Sequence, residues 1–131
     1  MFRRLRKGEQ GQALVEMALI LPLFFLLLFG VIEMARIGYS YITVSNATRE
    51  GGRTATIGGT DVNITNSIKN AATSLDPASL TITISPLEAN RHSGQEVTID
   101  VTYPVQLVIP IISNAITNPV VVSSRIIMRL E

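Results

Sequence analysis

The chain has 131 residues, enough for one small folded domain. It is 47% apolar and only 16% charged, with 11 Lys and Arg against 10 Asp and Glu. A formal net charge of +1 argues against nucleic acid as a partner, because nucleic-acid-binding proteins need a strongly basic face. The chain has no Cys and one His, which excludes disulfide frameworks, the usual zinc sites and cysteine nucleophiles.

A basic segment, residues 1–11, precedes a long apolar run. Residues 17–32 contain no charged side chain, and a bilayer core of about 30 Å needs roughly 20 helical residues. The run predicts a membrane-spanning helix that includes or borders Glu16. The apolar side chains of the run favour insertion into the bilayer by about 4–7 kcal/mol. This gain outweighs a cost of about 3 kcal/mol for one charged carboxylate near the centre of the helix. Since basic flanks stay cytoplasmic, we expect the N-terminus inside and the C-terminus outside.

A cleaved secretory signal is the alternative interpretation of a basic start and an apolar core. The residues after the run offer no small-residue cleavage site. They instead keep the helical spacing of apolar or small residues on one face. These positions are Val31, Met34, Ala35, Gly38, Tyr41 and Ile42. The pattern therefore predicts one long helix over residues 12–58, transmembrane in its first half and ended by Gly58 and Gly59.

The segment between the basic start and the apolar run has a distinctive spacing. Gly11 is followed by Gln12 and, five residues after the glycine, by Glu16. This layout is similar to that of type IV prepilins, which prepilin peptidases cut after the glycine. Cleavage after Gly11 would leave the helix attached but remove the cytoplasmic charges. The new α-amine of Gln12, or that of a neighbouring subunit, could then pair with Glu16 in an apolar filament core.

A plainer interpretation of Glu16 stays open. A solvated carboxylate near a helix N-terminus is favourable in itself. In that case Glu16 would have no role in assembly.

The residues from Gly11 to Tyr41 resemble the N-terminal segment of TadE-like proteins. These are pseudopilins or minor pilins of the tight-adherence (Tad/Flp) pilus system. The typical start of the family has its counterpart in residues 11–17. The proline in the family's leucine-rich run corresponds to Pro22, and its acidic residue after the span corresponds to Glu33. Residues 47–55 are similar to the family's post-span stretch, with Gly52 and Thr54 as departures. The family-like residues of this stretch are Arg49, Glu50, Gly51 and Arg53.

The resemblance implies a minor pilin or pseudopilin of a Tad (type IVc) pilus, without catalytic activity, cofactor or metal. The expected partners are the membrane, a prepilin peptidase, and other pilin or pseudopilin subunits with the pilus assembly machinery. The expected location is the cytoplasmic (inner) membrane, in a single pass, and the processed chain is a candidate for incorporation into a surface pilus. The alternative is an uncleaved, single-span assembly or adaptor protein of a pilus or secretion system. Pro22 is expected to kink the helix.

Residues 59–131 are expected to form a small extracytoplasmic α+β domain. Thr60 or Asp61 can cap a helix over Val62–Leu75. Its predicted buried face consists of Val62, Ile64, Ile68, Ala71, Ala72 and Leu75. Three strands are predicted: Leu80–Ser85 and Val97–Tyr103 as an antiparallel hairpin, then Val120–Leu130.

The segment Val105–Ile112 has one polar residue in eight and is too short to span a bilayer. Pro104 and Pro110 favour a packed loop or short helix over a regular central strand. Lying on the membrane or contacting a partner are the open alternatives.

A membrane-anchored enzyme or ligand-binding domain is the third class of function considered. His92 lies in a polar connection and is expected to be solvated. Asp61, Asp76, Glu88, Glu96 and Asp100 are scattered, and the chain has no nucleophile elbow, P-loop or dinucleotide fingerprint. The sequence therefore predicts no enzymatic activity.

Overall fold

A computed structural model of the protein describes the backbone of residues 5–131 and the side chains of residues 11–131. Of the predicted basic leader, residues 1–4 and the side chains of residues 5–10 therefore lie outside the described part of the chain. The elements follow in chain order as α1 (Leu5–Thr56), α2 (Asp61–Ala71), β1 (Thr81–Ser85), a 3-10 turn (Glu88–Asn90), β2 (Glu96–Val105), α3 (Pro110–Ala115) and β3 (Val120–Arg129).

The chain divides into two compact units, Met1–Met34 and Ala35–Glu131. The described part of the first unit is the N-terminal part of α1. The second unit contains the rest of α1, the two shorter helices and one antiparallel sheet in the order β1-β2-β3. A long apolar helix followed by a small domain with one main helix and three antiparallel strands confirms the predicted α+β fold class.

Helix α1 ends where two consecutive glycines were predicted to end it. Gly58 adopts a left-handed backbone with φ of +79°, a conformation that side chains disfavour. Its N–H donates to the carbonyl of Ala55 and that of Gly59 donates to the carbonyl of Thr54, both at 3.0 Å. These bonds satisfy carbonyls of the last helical turn and turn the chain toward α2.

Helix α2 is capped as predicted but is shorter than predicted. The hydroxyl of Thr60 accepts a hydrogen bond from the N–H of Asn63 at 3.1 Å. The helix ends at Ala71, because Ala72 leaves the helical conformation with φ of −106° and ψ of 35°. The prediction that it extends to Leu75 is therefore wrong, and of its predicted face Val62 and Ala71 are exposed.

The core of the second unit lies between the helices and one face of the sheet. Small α1 residues such as Ala47 and Ala55 are fully buried, as are Ile64 and Ile68 of α2. Alternate residues of β2 complete the core because successive strand side chains point to opposite faces. They are Val97, Ile99, Val101 and Val105.

Strand β2 extends two residues beyond its predicted end, through Pro104. A proline is unfavourable in a central strand because it lacks the N–H that a ladder bond needs. Strand β1, however, pairs with β2 only as far as Thr81 opposite Thr102, so Pro104 pairs with β3 alone, opposite Val121. After Val105 the chain forms loop and the short helix α3, as the two prolines predicted.

Candidate processing and assembly segment

Gly11, Gln12 and Glu16 all lie within helix α1, on its exposed surface. The side-chain amide of Gln12 donates to Oε1 of Glu16 at 3.1 Å. The two residues are four apart, so they face the same side of the helix one turn apart. Gly11 is exposed, and a Cβ built on it would meet no atom within 4 Å. Helix geometry therefore places the side chain of Gln12 beside the carboxylate of Glu16.

In the described part of the chain, one helix is long and apolar enough to cross a membrane. Its described extent is Gly11–Thr56, and its most apolar window has a mean hydropathy of 2.6 with none of that window buried. Phe25 stacks on Phe29 with ring centroids 6.1 Å apart, and Phe24 meets Phe25 edge-on at 5.8 Å. Large apolar side chains exposed all round a helix are typical of a segment surrounded by lipid or by other apolar helices.

Pro22 lies inside α1, which continues as a helix on both sides of it. The bend predicted at this position stays a prediction. Proline is commoner in membrane helices than in soluble ones, so its presence is compatible with a helix that can cross a membrane.

The glycines of the post-span stretch are packing positions. A Cβ on Gly51 would lie 2.5 Å from Cγ1 of Ile68, and one on Gly52 would lie 3.1 Å from Cγ of Met128. Adjacent residues of α1 therefore contact α2 through one glycine and β3 through the other. Ala47, Gly51 and Ala55, spaced four residues apart on one face of α1, are all buried within the chain.

The charged residues of the same stretch face solvent. Arg49, Glu50 and Arg53 are exposed, and the Arg53–Glu50 ion pair is loose at 3.9 Å. Exposed i,i+3 pairs of this kind contribute only a few tenths of a kcal/mol. The small residues of the family-like stretch are therefore packed inside the domain, whereas its charged residues lie on the surface.

A polar cluster that the sequence did not predict joins two loops at one end of the sheet. Arg91, with only 7% of its side chain exposed, donates from Nη2 to Oδ1 of Asp61 and from Nε to the carbonyl of Pro86 at 3.0 Å. Its Nη1 donates to the carbonyl of Gly59 at 3.2 Å. Backbone N–H groups of Asp61 and Glu88 each donate to the other's carboxylate at 3.2 Å.

No sequence signal could have revealed this cluster, because Asp61 lies 27 and 30 positions from its two partners. His92 borders a cleft of about 230 Å³ beside it and is exposed, as expected. The donors and acceptors of the cluster satisfy one another, so it holds loops together rather than offering reactive groups.

A polar cleft of about 440 Å³ lies where α1, the end of β2 and the loop after α2 meet. Arg36, Tyr39 and Tyr103 line it, together with Asp76. The Asp76 carboxylate accepts bonds from the N–H of Ala78 at 3.1 Å and the hydroxyl of Ser79 at 2.8 Å. A carboxylate held by its own turn is not poised for acid–base chemistry. Within residues 11–131, no three His, Asp or Glu side chains are grouped to hold a metal.

The family model described as TadE-like protein matches residues 11–53 of the chain. The match confirms the resemblance found in the sequence and covers Gly11, Glu16, Pro22 and the post-span stretch as far as Arg53. It indicates a protein associated with a Tad pilus. No curated protein matches the chain, and no solved structure matches it.

Proposed function

We propose that the chain is a minor pilin or pseudopilin of a Tad pilus, processed by a prepilin peptidase after Gly11. Its apolar helix packs with other subunits to initiate or support pilus assembly. The observation that carries the proposal is the TadE-like match over residues 11–53, which holds the candidate cleavage site, the assembly carboxylate and the apolar part of α1 in one segment.

The physical basis of the membrane step is the exposed apolar surface of α1. A segment of this hydropathy is stable in hydrocarbon and not in water. The basic leader keeps the N-terminus in the cytoplasm, so the second unit lies on the outer side of the inner membrane. Removing residues 1–11 removes the charges that oppose extraction of the helix into a filament.

Cleavage also changes the electrostatic setting of Glu16. Helix α1 begins at Leu5, so Glu16 lies about three turns inside the intact helix. After cleavage Gln12 becomes the first residue, and Glu16 lies close to the positive end of the helix dipole. The new α-amine would belong to the residue whose side chain is already hydrogen-bonded to Glu16, one helical turn away. A paired carboxylate of this kind is suited to an apolar filament core.

The size of the second unit supports a minor role. The main subunits of the pilus system that the chain resembles are usually much shorter. A domain of this size beside the long helix therefore suits a tip or initiation position rather than the repeating shaft.

The mature N-terminus in native cells tests the proposal. Mass spectrometry of membrane and surface fractions is expected to find a chain that starts at Gln12. A chain that starts at Met1 would instead support the uncleaved single-span adaptor. A start beyond residue 32 would mean that the apolar run is a secretory signal, and both membrane-anchored functions would be rejected.

The change Gly11→Leu is expected to abolish processing, because the peptidase requires the small residue before the cut. The structure leaves open space at this position, so the larger side chain does not disturb the fold. Gly8→Leu is the matched control in the same leader and should be processed normally. Immunoblots would report the ratio of precursor to mature chain. Equal processing of the two variants would contradict cleavage after Gly11.

The change Glu16→Ala is expected to leave the chain in the membrane but to stop its entry into pili. The span gains apolar character, while the α-amine of the mature chain loses its partner. Glu96→Ala, which removes an exposed carboxylate from β2, is the control and should assemble normally. The measurement is the amount of each variant in sheared pilus fractions relative to membranes. Normal incorporation of Glu16→Ala would exclude charge pairing as the basis of assembly.

A further inference from the structure

The connection between β2 and β3 exposes several apolar side chains. The connecting segment is defined here as residues 106–118, which include α3. It lies in a longer stretch without charge, from the residue after Asp100 to the residue before Arg125. Within it Val108 and Ile111 are 68% exposed and Ile116 is 57% exposed. Single exposed apolar residues are ordinary, but several together without a neighbouring charge mark a contact surface.

A hydrogen bond ties the start of this segment to α1. Nη2 of Arg36 donates to the carbonyl of Gln106 at 3.2 Å. Arg36 follows Ile32, the last residue of the uncharged run, by four positions, which is about 6 Å of helical rise. The headgroup layer on each side of a bilayer is roughly 5–8 Å thick. A helix that leaves the hydrocarbon near Ile32 therefore has Arg36, the hydrogen-bond partner of Gln106, in the headgroup layer.

The surrounding side chains fit that level. Tyr39 and Tyr41 are more than half exposed on the next turn of α1. Tyrosines concentrate at membrane interfaces, where an apolar ring and a polar hydroxyl are both accommodated. Leu107 anchors the connecting segment to its own domain, being only 7% exposed, while the three exposed aliphatic residues follow it.

We propose that the connecting segment lies on the outer leaflet of the same membrane, with Val108, Ile111 and Ile116 inserted among the lipids. The inference rests on the membrane-spanning helix of the proposed function. Because the segment contains no Lys or Arg, contact comes from apolar burial alone and not from attraction to anionic headgroups. It should therefore form on uncharged lipid and persist in high salt. The contact would fix the outer domain against the membrane before the helix is extracted.

Depth-dependent fluorescence quenching in vesicles tests this proposal. The chain has no native Cys, so single Cys residues can be labelled uniquely. Full-length Ile111→Cys and Ile116→Cys would carry an environment-sensitive fluorophore in phosphatidylcholine vesicles that contain nitroxide lipids. Leu87→Cys, 63% exposed in the same unit, is the matched control, and Leu23→Cys, 60% exposed within the apolar run, reports the span.

We expect headgroup and shallow-chain nitroxides to quench the labels at residues 111 and 116 several-fold more than the label at residue 87. The difference should persist with anionic lipid, in high salt and at low protein-to-lipid ratios. Equal quenching of the Ile111, Ile116 and Leu87 variants would overturn the proposal. A difference in quenching that appears only at high protein-to-lipid ratios would also overturn the proposal, in favour of contact between copies of the chain. If deep nitroxides fail to quench the Leu23 label, the span itself is wrong, whereas failure at residues 111 and 116 alone rejects only the interfacial contact.

Discussion

Replacing Arg91 with Ala is expected to lower the free energy of unfolding by about 2–4 kcal/mol. The guanidinium is almost fully buried and bonds Asp61 together with the carbonyls of Pro86 and Gly59. Alanine would leave two carbonyls and a carboxylate without this donor, and the carboxylate is only 30% exposed. The loop after α1 and the loop before β2 would lose their shared anchor. Urea unfolding of the full chain in detergent micelles, followed by circular dichroism, measures the change.

Two further variants separate this effect from the loss of a charge. Arg91→Lys keeps the charge but loses the planar fork that reaches three acceptors, so it should recover only part of the stability. Arg125→Ala removes another Arg–Asp pair, in which Nε of Arg125 donates to Asp100 at 2.6 Å. That bond and the charge of Asp100 raise the pKa of Arg125, yet the Arg125 side chain is 68% exposed and its removal should leave the midpoint unchanged. Equal effects of Arg91→Ala and Arg125→Ala would contradict the role assigned to burial.

Replacing Gly51 with Ala is expected to lower the free energy of unfolding by about 1–2 kcal/mol, although alanine is the better helix former. The added Cβ would lie 2.5 Å from Cγ1 and 2.7 Å from Cδ1 of Ile68, so α1 and α2 must move apart or Ile68 must leave its position. Overpacking costs about 1–3 kcal/mol, and the gain in helix propensity offsets up to about 1 kcal/mol of it. The same unfolding measurement applies.

Gly38→Ala is the matched control on the same helix. A Cβ at Gly38 meets no atom within 4 Å, so only the propensity gain remains and stability should rise by up to about 1 kcal/mol. In an Ile68→Ala background the cost of Gly51→Ala should shrink, because the clashing atoms are gone. A stabilising effect of Gly51→Ala in the native background would show that the two helices are not in close contact there.

Together these contacts divide the family-like segment by physical role. Gly51 and the small residues around it hold α1 against its own domain. Gly11 and Glu16, by contrast, are exposed on α1, and the proposed function assigns them to processing and assembly. Substitutions in the first group should therefore change the free energy of unfolding, and those in the second should change only processing or incorporation into pili.

Local patterns in the sequence sufficed for most of the helices and strands. The uncharged run, the glycine pair at 58–59 and the alternation in each strand depend on neighbours a few residues apart, and the structure follows them. The hydrogen bond between Gln12 and Glu16 is likewise a consequence of helical spacing. The errors were local as well: α2 stops before Leu75, and Val62 is exposed, because tertiary packing selects which apolar residues a short helix buries.

Features that depend on distant residues were decided only by the tertiary structure. The Arg91 cluster joins groups 30 positions apart, and the Arg36–Gln106 bond joins groups 70 positions apart. Neither has a signal in composition or spacing, because a hydrogen bond between loops depends on how the sheet and helices are arranged. The sequence by itself determined that this is a chain with one apolar helix and a prepilin-like start. The tertiary structure decided which glycine is a packing contact, which arginine is buried, and which apolar side chains of the β2–β3 connection remain exposed.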